Sequence, residues 1–241
     1  MTMPDERNQN QITRKDAKNC FVESLSDAFA IGKIHFNFSA YDPNKPAGQK
    51  QTNGVHIYIA AEEFLELCRK VSCGEFRYMV QSQKSATSPR VPLYQSLGGT
   101  SAEKLRAQNR SRPDGKSLSR TMQINTGNKS DLLLVADSGP GETTEKGLIV
   151  PKFGNKPENH VTVPMMLDAF GELLLITQAH YQAWLNAWYM GGCKTLQPKN
   201  NAQKTQQQPT AATTQPPSQA QYVPDAYLGI GLVSEDDDLP F

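Results

Sequence analysis

Cysteine is scarce and unpatterned in this chain. The four cysteines (Cys20, Cys68, Cys73 and Cys193) form no C-x-x-C pair and the four histidines are scattered, so no zinc site is indicated. Free thiols in a reducing compartment are expected. Long apolar runs are missing too: stretches such as Leu132 to Ala136 and Leu173 to Ile176 are far too short to span a bilayer. The segment Met1 to Gln11 is polar and contains acids, unlike a secretory leader, so a cytoplasmic address is expected. Catalytic signatures are absent as well. There is no G-x-x-x-x-G-K-[ST], no H-E-x-x-H, no G-x-S-x-G and no cluster of acids suited to two metals. Gly139-Pro140-Gly141 reads as a turn, not a phosphate cradle. A noncatalytic protein without a cofactor or metal is the expectation.

Net charge is also nearly missing, with 25 basic against 24 acidic residues, but the distribution is uneven. Asp225, Glu235, Asp236, Asp237 and Asp238 fall in residues 225–241, which contain no Lys or Arg. Residues 84–129 hold nine bases (Lys84, Arg90, Lys104, Arg106, Arg110, Arg112, Lys116, Arg120 and Lys129) against Glu103 and Asp114. A basic body with an acidic end is the polarity expected of a phosphate binder that also docks partners.

Hydrophobic periodicity divides the chain. Residues 1–12 are polar and expected to fray. Thr13 to Ala30 places Phe21, Val22, Leu25, Ala28 and Phe29 at helical spacing, predicting a short helix. Ile31 to Tyr41 alternates, with Ile34, Phe36 and Phe38 on one face and Lys33, His35 and Asn37 on the other, as in a half-buried strand. A second strand from Gly54 carries Val55, Ile57 and Ile59 opposite His56 and Tyr58. Ala60 to Val71 reads as a helix, with Glu62 and Glu63 in its first turn, Arg69 and Lys70 in its last, and Gly74 beyond. Glu75 to Gln83 reads as a strand with Phe76, Tyr78 and Val80 inward. Residues 84–119 have little periodicity beyond Leu93 to Leu97 and read as a mobile basic loop. Strands are expected at Arg120 to Thr126, Leu132 to Ala136, Gly147 to Lys152 and His160 to Val163, with Ser138 to Gly141 a turn. Pro164 opens the strongest helix, Met165 to Met190, which Gly191 and Gly192 stop. Residues 195–233 are a Gln/Pro/Thr/Ala stretch that cannot bury a core, leaving 13–194 as the folded domain.

The fold class expected is α+β, with antiparallel strands. A strand-then-helix unit occurs twice, at Gly54 onward and at His160 onward, which resembles the duplicated layout of PC4/Whirly-type folds that bind single-stranded DNA. The alternative is an OB-fold barrel with an added C-terminal helix.

Single-strand binders combine a positive groove with aromatic platforms, because every base has a stacking face. Tyr41, Tyr58, Tyr78 and Tyr94 lie on or beside expected strands. Tyr58 is the leading platform, or else a cover for the core edge; Tyr78, Phe36 and Phe38 are assigned to the core. Lys33, His35 and Arg77 on polar strand faces are candidate phosphate contacts or solvated residues. Lys84, Arg90, Arg106, Arg110, Arg112 and Arg120 complete the candidate set as an Arg-rich loop that closes over a strand. Trp184 and Trp188, one helical turn apart, are assigned to the core or to a subunit interface, and a homo-oligomer is expected.

The stretch 234–241 is Ser-Glu-Asp-Asp-Asp-Leu-Pro-Phe. An exposed Phe gains nothing in water. As a ligand, Phe241 enters an apolar pocket, Leu239 and Pro240 present a restricted backbone, and Asp236, Asp237 and Asp238 are steered by surrounding bases. Glu235 to Phe241 resembles the acidic tip of bacterial single-stranded-DNA-binding proteins, the SSB family. The resemblance covers about the last seven residues and the low-complexity linker before them. It implies a partner-docking tip (234–241) that recruits replication, recombination and repair enzymes, and a nucleoid-associated protein that coats single-stranded DNA without sequence preference. The competing readings are a recombination mediator or strand-annealing protein, and an interaction adaptor without nucleic-acid affinity. An origin in a phage, plasmid or integrated element fits the unusual body.

Overall fold

The structure is a computed structural model and describes residues 10–87, 91–154 and 156–191. It is α+β, with two antiparallel sheets and four α-helices among the described residues.

The first sheet runs in sequence order: β1 (Gln11–Ala17), β2 (Cys20–Leu25), β3 (Lys33–Tyr41) and β4 (Gln51–Ala60). The helix expected over Thr13 to Ala30 is therefore the hairpin β1–β2 followed by a single 3-10 turn, Phe29–Ile31. Ala17 pairs with Cys20, leaving Lys18 and Asn19 as a two-residue turn in which Asn19 adopts a φ of 61°. Ser24 hides the strand period. It sits on the inward row with Cys20 and Val22 and is fully buried, and Thr177 donates to its hydroxyl at 2.7 Å. With Phe21 and Leu25 on the opposite row, the apolar positions imitate a helix.

β4 passes directly into α1 (Ala61–Ser72), which ends before Gly74 in the left-handed region (φ 79°). Residues expected as a strand then form α2 (Glu75–Ser85). Phe76 and Val80 are buried one helical turn apart, while Tyr78 is 71% exposed, so Tyr78 is not a core residue. The alternation of Phe76, Tyr78 and Val80 was equally compatible with either period; the Gly74 break and the burial of Phe76 against Phe170 decide for the helix.

The second sheet holds β5 (Tyr94–Thr100), β6 (Ser117–Thr126), β7 (Leu132–Thr143), β8 (Ile149–Pro151) and β9 (Asn159–Met165), with α3 (Ala102–Ala107) between β5 and β6. The expected excursion over 84–119 thus contains the end of α2, a strand and a helix. β7 pairs with β6 over Leu132 to Gly141. Its other edge is shared, by β9 over Leu132 to Ser138 and by β8 over Gly141 to Thr143. Ser138 to Gly141 is strand, not turn. Its glycines serve close approach: a Cβ on Gly139 would lie 2.8 Å from the Phe153 ring, and one on Gly141 2.8 Å from Ile149. Ile149 also sits over Gly99 of β5, so the sheet curls until β8 meets β5.

Pro164 lies inside β9, paired with Leu133, and does not open the last helix. That helix, α4 (Leu167–Tyr189), starts where Asp131 accepts the Leu167 N–H at 3.0 Å. One core joins both sheets to α1, α2 and α4, and includes Phe36, Phe38, Phe64, Phe76, Ile124, Leu134 and Phe170. Each such side chain contributes about 1.5–3 kcal/mol on burial. Phe29, Tyr181, Trp184 and Trp188 form a run of ring contacts along α4.

Candidate nucleic-acid interface

The core occupies one face of the first sheet; the other face is polar. Cross-strand pairing sets its rows: Tyr58 opposite His35, His56 opposite Asn37 and Glu23, and Ser39 opposite Phe21. At one end this face meets β5 and β6 across a cleft of ≈ 660 Å³. Lys33 and Tyr58 form one wall. Leu97 to Thr100, Leu118 and Arg120 form the other, and Lys104, Arg110 and Arg112 form the rim.

Tyr58, 40% exposed, stacks on the buried His35 ring with centroids 4.3 Å apart and planes at 19°. The guanidinium carbon of Arg120 lies 5.9 Å from the Tyr58 centroid, and Arg120 donates to Thr100 Oγ1 at 2.9 Å. Burial pushes the Arg120 pKa below its ordinary value, which marks a partly desolvated cation. Burial, followed by the charge of Asp27, pushes the Tyr58 hydroxyl up. Beneath the tyrosine, His35 Nδ1 lies 2.8 Å from Asp27 Oδ1 and His35 Nε2 lies 2.9 Å from His56 Nδ1. Asn37 donates to Glu23 Oε1 at 2.8 Å beside them.

α3 delivers the rim. The Ser101 hydroxyl accepts the Lys104 N–H, Leu105 is buried, and the Arg110 N–H donates to the Leu105 carbonyl. Among the described residues, Lys33, Lys104, Arg110 and Arg120 have no carboxylate within ion-pair distance. Arg112 is different. It holds Glu158 with two bonds of 2.6 and 2.7 Å and Asp114 at 2.9 and 3.0 Å, and these raise its pKa. Its charge is spent on fixing the loop.

The expected residues therefore separate. Lys33, His35, Tyr58, Arg110, Arg112 and Arg120 converge on the cleft or its floor. Tyr41 sits at the far end of the same sheet face, about 20 Å along β3 from His35 at strand rise. Its ring is 6.2 Å from Phe21, over which Arg14 lies at 3.6 Å. Arg106 is exposed on α3 outside the cleft lining. Arg77 and Lys84 lie on α2, Arg77 not on a strand face and Lys84 not in a mobile loop, paired with Asp168 and Asp131. Tyr94 packs against the core, and its hydroxyl donates to Glu63 at 3.4 Å; burial pushes its pKa up to about 12. Arg90 and the tip residues Asp236 to Phe241 lie outside the described residues. The sequence reading missed Asp27, His56 and Lys104 as site members. The shared polar face of His56 and Tyr58 pointed to one of them, but no local pattern points to Asp27.

Among the described residues, no group of three or more His, Cys, Asp and Glu side chains is arranged to hold a metal, and no helix is long and apolar enough to cross a membrane. Fold and cleft together define an α+β chain that presents a basic groove around a stacked tyrosine where two antiparallel sheets meet. No family model, no curated protein and no solved structure matches this chain.

Proposed function

We propose that this chain binds single-stranded DNA without sequence preference, holding the strand in the cleft and recruiting genome-maintenance enzymes through Glu235 to Phe241. The observation that carries the reading is the convergence of Lys33, Lys104, Arg110 and Arg120, all without carboxylate partners among the described residues, around the exposed Tyr58 ring. The cations take phosphates and the ring takes a base. The polar sheet face running toward Phe21 and Tyr41 continues the track.

The element order supports the PC4/Whirly-like layout. Four strands lead into α1, four strands (β5, β6, β7 and β9) lead into α4, and α4 meets α1 where Gly171 faces Val71. The curl of the second sheet supports the OB-type alternative. Leu175 and Ile176, 42% and 40% exposed on α4, support self-association.

Titration with oligo(dT) at two salt concentrations tests the binding reading. Salt-sensitive binding, with duplex DNA far weaker, is the expected result; equal affinity for duplex or no complex at low salt removes it. Deleting Asp236 to Phe241 is expected to abolish capture of partner enzymes while sparing or strengthening DNA binding.

A further inference from the structure

Beneath Tyr58 the chain Asp27–His35–His56 has only one arrangement of protons that satisfies every bond. Asp27 as a carboxylate only accepts, so His35 Nδ1 carries a hydrogen. A neutral His35 then has a bare Nε2, so the hydrogen in its 2.9 Å contact with His56 Nδ1 sits on His56. Two neutral rings carry two hydrogens, and both are now placed. His56 Nε2 is therefore bare at neutral charge, and it is the site at which the pair takes its next proton. His35 is 3% exposed and locked on both sides, whereas His56 is exposed on the polar face, two residues from Tyr58.

We propose that His56 Nε2, exposed on the polar sheet face beside the cleft, is where the site takes up a proton, and that the protonated imidazole is a further phosphate ligand for the bound strand. This rests on the single-strand reading above and adds a ligand and a regulator to the same site. The groups facing the pair come from every neighbouring element: Glu23 of β2, bridged by Asn37; Asp27 after β2; Tyr58 of β4; Arg120 of β6; and Arg110 after α3. Arg14 of β1, beyond Glu23, is occupied by Asp16. Burial, then His35, Arg120 and Arg110, hold the His56 pKa below the ordinary histidine value, and only Asp27 opposes them. The free cleft therefore resists the proton. A phosphate in the cleft neutralises the two arginines and supplies an anion, so binding favours proton uptake, and by linkage acid favours binding.

Two measurements on the full chain test this. Oligo(dT) affinity is measured at constant ionic strength from about pH 8 to about pH 5.5, spanning the histidine range, for the natural chain and for His56→Gln. The expected gain on acidification is about tenfold for the natural chain, the effect of a one-unit linked pKa change, and it is flattened in His56→Gln. Nitrogen NMR of the two rings in the unliganded protein is expected to show His56 Nε2 unprotonated at high pH and protonated first as pH falls. A complex whose pH profile is the same in both proteins overturns the proposal and leaves the single-strand reading standing, as does a spectrum in which His56 Nε2 carries the hydrogen at high pH. Absence of any oligo(dT) complex at every pH overturns both.

Discussion

The guanidinium of Arg120, from the second sheet, lies 5.9 Å from the ring centroid of Tyr58 in the first. That places the proposed phosphate ligand and the proposed base platform on opposite walls of one cleft, with a cation–π attraction holding them in register. Stacking on such a ring is worth about 1–3 kcal/mol per base. Tyr58→Ala is therefore expected to weaken oligo(dT) binding by roughly 5- to 150-fold, while Tyr58→Phe, which keeps the ring, stays close to the natural affinity. Fluorescence anisotropy reads both. The urea midpoint of Tyr58→Ala should move little, since the ring is 40% exposed.

Arg110 and Arg112 are near in sequence and differ in role. Arg110 has no ion-pair partner among the described residues, whereas Arg112 is clamped by Glu158 and Asp114. Arg110→Ala should lower the salt dependence of oligo(dT) binding by about 0.7 in the log–log slope, the value of one single-strand phosphate, with stability unchanged. Arg112→Ala should lower stability through loss of the clamp on Glu158 and Asp114, and alter the salt slope much less. A double titration with matched urea curves separates the two.

Asp131 ties three elements together, accepting the first N–H of α4 and pairing with Lys84 of α2 from the start of β7. Those bonds, the backbone one first, hold its pKa below the ordinary carboxylate value. A depressed pKa stabilises the fold at neutral pH, and that contribution disappears as pH falls through the folded value. Asp131→Ala should thus lose about 1 kcal/mol at neutral pH, and the gap to the natural chain should close below about pH 4. Thermal unfolding across that range measures it.

Gly99 is required by its surroundings. A Cβ there would sit 2.3 Å from the Leu118 carbonyl oxygen and 2.8 Å from Ile149 Cγ2. Backbone cannot step aside as a side chain can, so Gly99→Ala should destabilise the protein by about 1–3 kcal/mol. Because Gly99 also lines the cleft, oligo(dT) binding should weaken as well. Gly98 lines the cleft too but has open space around the corresponding position, so it is the control for stability and should tolerate Ala without a shift in the unfolding midpoint.

Much of the scaffold was legible in the sequence. β3, β4, α1, β6 and α4 follow clean periods, though Pro164, which marked the start of α4 in the sequence, lies in β9, and Tyr58 emerged as the leading platform from its place opposite Val55, Ile57 and Ile59. What failed was local ambiguity resolved by tertiary contact. Ser24 broke the alternation of β2 because its partner, Thr177, lies on the last helix. Phe76, Tyr78 and Val80 fit two periods. Gly139 and Gly141 signalled a turn but serve Phe153 and Ile149. Arg77 and Lys84 looked available until α2 set them beside Asp168 and Asp131. Asp27 entered the site only because the chain after β2 folds back onto His35.

Proposed binding turns on a base stacking on the Tyr58 ring. Ultraviolet cross-linking of the full chain to oligo(dT), followed by mass spectrometry of the joined peptides, tests it most directly. The predicted result is a nucleotide-bearing peptide that contains Tyr58 and is lost in Tyr58→Ala or when salt dissociates the complex. Cross-links confined to the helical side, at Tyr78 for example, with Tyr58 unmodified, would contradict it.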